Sequence, residues 1–450
     1  MASVRVAVIK THTQRVTQGG EAMGTLAQTV LPFKLEATEE MLTANAGLAL
    51  FGEFMRGLGL QRWLTQEMPH PGSGRGYQAE SYVTPLALML TGGGRSLEDL
   101  RTLKNDLALN TLLKQTTLPS TDAFGDWLRR TGAGQGLAGL DRINQRTVAT
   151  RLRQSGITRH TLDCDASQIV AEKEAAHITY KGEQGYMPMI GHLAEAGVII
   201  HDEFREGNIA PATQNLEFIK SCEACLPKGH VITNVRLDSA GYQSSIFNYL
   251  EDTGKTFAIG GRLDRPTQQV IADIPEASWK DYPDCALAET LHCMNETKQA
   301  FRLIVIRYKR QVELFDDAPK YHVIASNRVE STEATLVWYR QRGEVSENGI
   351  KELKIGFGME RMPCGQFAAN AAFFRIGVIA HNLFVLFKHS VLGEGWQRHK
   401  VATVRWRLFH LPGKLVRHAG AWVLKVAKSA LELFQVIREK SFKLAVANSP

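Results

Sequence analysis

Acidic residues are missing from one long stretch of this chain, and other scarcities exclude whole classes of protein. Cysteine is one: there are six in 450 residues. The first ten residues, M-A-S-V-R-V-A-V-I-K, show neither the apolar core nor the small-residue cleavage site of a secretory leader. Six cysteines in such a chain are expected to be free thiols rather than a disulfide framework, and the matching expectation is a cytoplasmic protein. Cys222-x-x-Cys225 is the one pair at metal-ligand spacing. A zinc site needs a second pair, and Cys285, His292 and Cys293 follow about 60 residues later without the usual spacing. Long apolar runs are scarce too. Nothing reaches the roughly 18 uncharged residues that span a bilayer. The longest candidate, Ile376 to Phe387, is too short and contains His381 and Asn382.

The acid-free stretch runs from Gly395 to Lys428. It holds eight cations: Arg398, Lys400, Arg405, Arg407, Lys414, Arg417, Lys425 and Lys428. Trp396, Trp406, Phe409 and Trp422 are interleaved with them. Cations neutralise phosphates while aromatics pack or stack, so the pattern suits a polyanion. The competing reading is a basic amphipathic helix lying on the protein's own core or on a membrane surface. Either way residues 391–450 read as a basic helical C-terminal region. The net charge of +7 points the same way more weakly. With 44% hydrophobic and 22% charged residues, the chain is otherwise an ordinary globular protein of two or three domains.

From Glu39 the apolar residues Met41, Leu42, Ala46, Leu48, Leu50, Phe51, Phe54, Met55 and Leu58 recur at helical spacing. After the loop P71-G-S-G-R-G76, a helix is predicted from about Ala79 to Leu90, ended by T91-G-G-G94. Ser96 caps another, with Asp99 placed to reach back to the cap. Pro119-Ser120 opens a fourth, which carries Phe124, Trp127 and Leu128 and ends in Arg129-Arg130. Residues 1–155 are thus expected to be a mostly helical region able to present a helix to DNA.

Near Ile157 the pattern changes. T161-L-D-C-D165 alternates, strands are predicted at His177–Tyr180, Tyr186–His192 and Gly197–Phe204, and a helix at about 213–226. V231-I-T-N-V-R-L237 leads to Asp238, a helix follows at about 244–251, and Thr256–Gly260 reads as a further strand. This is a mixed α/β sheet with helices on its faces, residues 156–261 forming its first part and 336–390 its second. Between them, residues 262–335 carry Phe301–Tyr308, Val312–Phe315 and Tyr321–Ser326, read as an inserted β-rich subdomain.

Three carboxylates stand where metal-assisted phosphoryl chemistry needs them. Asp163 and Asp165 lie two apart on one strand and face the same side, so alternation does not choose between them. Asp238 ends a second strand, where open α/β sheets place their ligand crevice. Glu347 lies on a helical segment with Lys351 at i+4, and Lys354 is seven residues on, about 20° round the helix. Hard cations take such oxygens, and two ions about 3.5–4 Å apart assist an in-line displacement at phosphorus. Read singly, Asp165 or Asp238 could instead cap a turn, and Glu347 could pair with Lys351.

Taken together the stretches resemble the DDE transposases of bacterial insertion sequences, in the clan marked by a Tyr-Arg-Glu-Lys helix. The matching text includes A44-N-A-G-L-A-L-F51, G93-G-R-S-L-E-D-L-R-T-L103, L162-D-C-D-A-S167 and Y180-K-G-E-Q-G-Y186. It continues through D202-E-F-R-E-G-N208, R236-L-D-S-A-G-Y242, E347-N-G-I-K-E-L-K354, M362-P-C-G-Q-F-A-A-N370, H381-N-L-F384 and R405-W-R-L-F-H-L-P-G413. The resemblance implies an RNase H-like core interrupted by a β-rich insertion, an N-terminal DNA-binding region, and cut-and-paste movement of DNA. By the same resemblance Asp165, Asp238 and Glu347 are the catalytic acids and hold two Mg²⁺, for which Mn²⁺ substitutes. Asp165 is preferred through the following Ser167. Tyr339, Arg342 and Lys354 match the signature positions expected to hold DNA phosphates, and Lys298, Arg302, Arg307, Lys309 and Arg310 would add contacts. The implied partners are double-stranded DNA, as terminal inverted repeats and target, and a second copy in a homodimer. One departure stands out: four residues, Gly343 to Ser346, separate Arg342 from Glu347, where the family pattern has three. A bulge near Gly343 would absorb the additional residue. Otherwise Glu344 becomes the third acid, or the chain is an inactive DNA-binding derivative. A stand-alone RNase H-like nuclease is the remaining alternative.

Overall fold

The computed structural model describes residues 26–27, 34–72, 74, 76–115, 117–308 and 320–448. It contains two units. In the first, Met1–Met41, the strands Leu26–Ala27 and Lys34–Leu35 pair antiparallel. The second is Leu42–Pro450.

A nine-stranded sheet organises this unit. Its strands in chain order are β1 (Arg159–Ala166), β2 (Met189–Leu193), β3 (Val198–Glu203), β4 (Val231–Leu237), β5 (Thr256–Gly260), β6 (Lys280–Tyr282), β7 (Cys285–His292), β8 (Phe301–Tyr308) and β9 (Tyr321–Ser326). Across the sheet they run β6-β7-β8-β9-β5-β4-β1-β2-β3. β1, β2 and β3 form an antiparallel meander, while β4 is parallel to β1 and β5 to β4. Helices Asn215–Ala224 and Ser244–Asp252 lie on the connections into β4 and β5. Leu162 and Cys164 of β1 sit in one core with Val148, Leu152 and Phe218. Alternation turns Asp163 and Asp165 to the opposite face.

The segment 262–335, read above as an inserted subdomain, instead extends this sheet. β9 pairs antiparallel with β5 through Ala258↔Ser326, Ile259↔Ala325 and Gly260↔Ile324, and β8, β7 and β6 follow in turn. The physical reason is that β5 would otherwise be a buried edge with unpaired backbone groups, and β9 supplies them. The strand expected at Val312–Phe315, with Lys309 and Arg310, lies outside the described residues.

The other edge is closed by a side chain. Asn382 accepts a hydrogen bond from the Ile199 N–H (2.9 Å) and donates to the Ile199 carbonyl (2.8 Å), imitating a neighbouring strand on β3. Its second N–H is held by Asn144 Oδ1 at 2.7 Å. Asn382 belongs to the helix Phe367–Ser390, 24 residues long and longer than the apolar run identified above. Its mean hydropathy reaches 1.5 over an 18-residue window, apolar enough to cross a membrane, yet that window is wholly buried within the fold. It packs between β3 and the helices Glu80–Gly92, Thr121–Ala133 and Gly136–Ser155. Gly132 permits the closest crossing, because a Cβ there would overlap the Ala368 carbonyl. The expected caps are present: Asp99 accepts from the Ser96 N–H at 2.9 Å, and Ser120 from the Ala123 N–H at 3.3 Å.

The C-terminal region is not one basic helix. Gly413–His418 and Ala421–Lys425 form an antiparallel hairpin, and a helix, Lys428–Ala447, follows and packs on Ala46–Leu58. Ala419 and Gly420 join the strands with φ of 48° and 80°. Two consecutive positive φ values are what a tight two-residue hairpin requires.

Candidate active site

Strand register brings the first two acids together. Arg236 of β4 lies opposite Asp163 of β1, and Leu237 opposite Cys164. One step further along, Asp238 emerges beside Asp165 at the carboxyl ends of two parallel strands. Asp238 Oδ1 accepts from the Ala240 N–H at 3.0 Å and so caps the short turn Ser239–Gly241.

Asp163 and Asp165 share a face but have different surroundings. Asp163 is 1% exposed and fully engaged: Arg236 Nε donates to its Oδ1 and Nη2 to its Oδ2, both at 2.7 Å, and the Ser346 hydroxyl donates to Oδ2. Asp165 keeps a quarter of its side chain exposed, and among the described residues its carboxylate takes a single bond, from Arg342 Nη2 at 3.2 Å. Its carboxyl is pushed up to about 6, first by burial and then by the charges of Asp238 and Glu347, with Arg342 opposing them.

The remaining groups arrive on one irregular helix. Ser331 caps its start by accepting from the Ala334 N–H, and Thr332–Arg342 is regular α-helix. Gly343–Glu347 then forms a π-turn, Asn348–Lys351 is α-helical, and Glu352–Gly356 is a second π-turn. The additional residue between Arg342 and Glu347 therefore sits in the first π-turn. A π-turn closes between residues five apart, and Arg342 Nη1 donates to Glu347 Oε1 at 2.8 Å. Arg342 is 8% exposed and bridges Glu347 to Asp165. Burial alone would lower its pKa, but Asp165, Tyr339, Asp238 and Glu347 outweigh it and hold the guanidinium above its ordinary value. Glu347 itself is half exposed, and Glu344 is exposed.

Tyr339 is half buried over the end of β5. A Cβ on Gly260 would lie 2.9 Å from its hydroxyl and 3.1 Å from the Ser239 N–H nitrogen. Burial raises the phenol, and Asp238, Glu347 and Asp165 raise it further against Arg342. Lys354 donates to the Gln168 carbonyl at 2.6 Å. Burial and the nearby Lys181 lower its ammonium, while Glu360 and Asp165 work the other way. All six predicted site residues thus converge, although Lys354 is engaged by a backbone carbonyl.

The donor set fits a divalent cation chemically: three carboxylates, of which Asp165 is raised first by burial and then by the charges of the other two. Among the described residues, no three His, Cys, Asp or Glu side chains stand at the spacing that would already hold an ion. Arg342 lies between two of the acids and supplies the positive charge.

Sequence reasoning missed Arg236, Ser346, Gly260 and Gln168. A signal existed for the first, because Arg236 precedes Asp238 by the interval that separates Asp163 from Asp165. The basic stretch also needs correction at Arg405. Its guanidinium donates to the carbonyls of Leu90, Thr91 and Gly356 at 2.6–2.7 Å, and burial lowers it to about 10. Arg398, Lys400, Arg407 and Arg417 are exposed.

Acids and a buried arginine gathered at the carboxyl ends of parallel strands compose a site suited to phosphoryl transfer. The particular family is clear from the chain as a whole: residues 30–439 match the transposase DDE domain, group 1, and the protein belongs to that family. Among solved structures it is similar to the cryo-EM structure of a piggyBac transposase synaptic complex with hairpin DNA. The identity is 11%, with 92% of this chain and 85% of that chain covered and a TM-score of 0.46. Comparison with curated proteins finds no match.

Proposed function

We propose that this transposase moves an insertion sequence by cut and paste, cleaving DNA at terminal inverted repeats and joining the freed 3′ ends to target DNA. The observation that carries the reading is the meeting of Asp165, Asp238, Arg342 and Glu347, produced by the β1–β4 register and the π-turn. An RNase H-like core is supported by the order β3-β2-β1-β4-β5, in which β2 alone runs opposite to the other four.

In this reading Asp165, Asp238 and Glu347 hold two Mg²⁺, with Mn²⁺ as a substitute. When bound, such a pair activates the attacking oxygen and neutralises the leaving one. The chain's own residues orient the strand. Arg342 exchanges its carboxylate partners for a phosphate, a charge-assisted contact of the kind a planar guanidinium makes well. Tyr339 positions a phosphate oxygen beside Asp238, and Lys354 holds the next part of the backbone. The helices of residues 1–155 and the exposed cations Arg398, Lys400, Arg407 and Arg417 bind the flanking duplex. Pairing two element ends calls for a homodimer on DNA, in the cytoplasm of a bacterium.

Asp238→Asn tests the reading. Asparagine keeps an oxygen to cap Ala240 and removes only the charge. The variant is expected to retain its melting temperature and its affinity for terminal-repeat duplex while losing Mg²⁺-dependent cleavage. Cleavage at the wild-type rate would remove Asp238, and with it the site, from consideration.

A further inference from the structure

Two residues below the acids, on the same face of the sheet, lies a second polar row. Arg236 of β4, Asp163 of β1 and His192 of β2 are direct cross-strand neighbours. All three are 1–2% exposed. The helix that carries Glu347 touches this row at several points. Arg236 Nη1 donates to the Trp338 carbonyl at 2.7 Å, and the Ser346 hydroxyl donates to Asp163 while lying 3.0 Å from His192 Nδ1. A Cβ on Gly349 would stand 3.1 Å from His192 Nε2, so the backbone there rests directly on the ring.

We propose that this row is the register key of the acid-bearing helix, and that Ser346 is a positioning residue acting on Glu347 through Asp163. The inference rests on the assignment of Glu347 to the site proposed above. A buried ion pair is a poor way to gain stability, because desolvation offsets much of its attraction. Buried polar groups are better attested as devices that select one register among several. Here the helix has a competing register. If Gly343–Glu347 relaxed to a continuous α-helix, Glu347 would stand about 140° from Arg342, and position 346 would take the place beside it at about 40°. Ser346 is the residue next to Glu347, and its hydroxyl reaches the one carboxylate that Arg236 fixes from the neighbouring strand. Anchored there, position 346 is unavailable to the upper row, the additional residue stays in the π-turn, and Glu347 meets Arg342.

The test compares Ser346→Ala, which removes the hydroxyl, with Ser346→Cys, whose somewhat larger thiol keeps the site occupied but donates weakly. Four quantities are measured on the full-length protein: melting temperature, affinity for terminal-repeat duplex, Mn²⁺ binding by calorimetry, and amide exchange across residues 343–356. Both variants should fold and bind DNA like the wild type. Their Mn²⁺ affinity should fall about tenfold or more, the scale of losing an outer partner of a metal ligand. Cleavage should recover at high Mn²⁺, and exchange at Gly343–Glu347 should accelerate. Unchanged exchange in both variants overturns the register key whether or not the wild type cleaves DNA. Wild-type Mn²⁺ affinity in both variants overturns the action on Glu347. A wild-type protein that binds no Mn²⁺ and cuts no DNA would instead sink the proposed function, leaving the exchange result to decide the key.

Discussion

Removing Glu344 tests what the π-turn is for. Glu344 is exposed, and its backbone carbonyl accepts from the Asn348 side chain at 2.7 Å. Its deletion leaves Gly343, Val345 and Ser346 between Arg342 and Glu347, so these two become i and i+4. In an α-helix that separation is about 40°, against about 140° for five residues. The π-turn should therefore collapse to an α-turn without rotating Glu347 away from Arg342, and Ser346 keeps its place beside Glu347. Every residue from Ser346 to Lys354 retains its spacing. The deletion variant is expected to fold, to bind Mn²⁺ within a few-fold of the wild type, and to cleave terminal-repeat duplex. Inserting one alanine after Glu344 should do the opposite, adding about 100° that no single π-turn absorbs. Calorimetry with Mn²⁺ and a cleavage assay on both variants give the answer. A folded deletion variant without cleavage would refute the account of the turn, and would return Glu344 to candidacy as the third acid.

Other expectations follow from the same geometry. Gly260→Ala places a Cβ 2.9 Å from the Tyr339 hydroxyl and 3.3 Å from the Asp238 carbonyl carbon, and backbone yields poorly. A loss of about 1–3 kcal/mol in urea unfolding is expected, together with slower cleavage; an unchanged variant would mean the contact is slack. The Asp165 carboxyl has its pKa raised from 3.8 to about 6, chiefly by burial. Its stabilising contribution is therefore complete below about pH 3.8 and is lost as pH rises through about 6, amounting to about 3 kcal/mol at most. Chemical denaturation of metal-free wild type and Asp165→Asn from pH 4 to 7 should show their difference drifting across that window. A flat difference would contradict the raised value.

Some of this was legible in the chain. The strand V231–L237 and the aspartate ending it needed only alternation and the habit of α/β crevices. The distinction between Asp163 and Asp165 was not legible, because both face one side. What separates them is Arg236, which reaches Asp163 only once β4 is known to pair in parallel with β1. The fate of the additional residue was likewise hidden, since it depends on Ser346 meeting Asp163 across 183 residues of chain. The C-terminal hairpin was misread because its alternation is short and its turn, Ala419-Gly420, lacks the usual asparagine. Helix Gly136–Ser155 escaped notice because it begins on Gly136 without a capping side chain, although Leu140, Ile143, Val148 and Leu152 trace its buried face.

The helix Phe367–Ser390 has a consequence for how the protein is made. It is the partner that β3, Asn144 and three N-terminal helices all pack against, and it leaves the ribosome after every one of them. Until then the earlier segments hold exposed apolar faces and an unpaired strand edge, the conditions under which a nascent chain aggregates or waits on chaperones. A message truncated before residue 367 would yield all of Asp165, Asp238 and Glu347 and still no folded enzyme. Premature termination before residue 367 should therefore leave these segments without their shared partner and prevent folding.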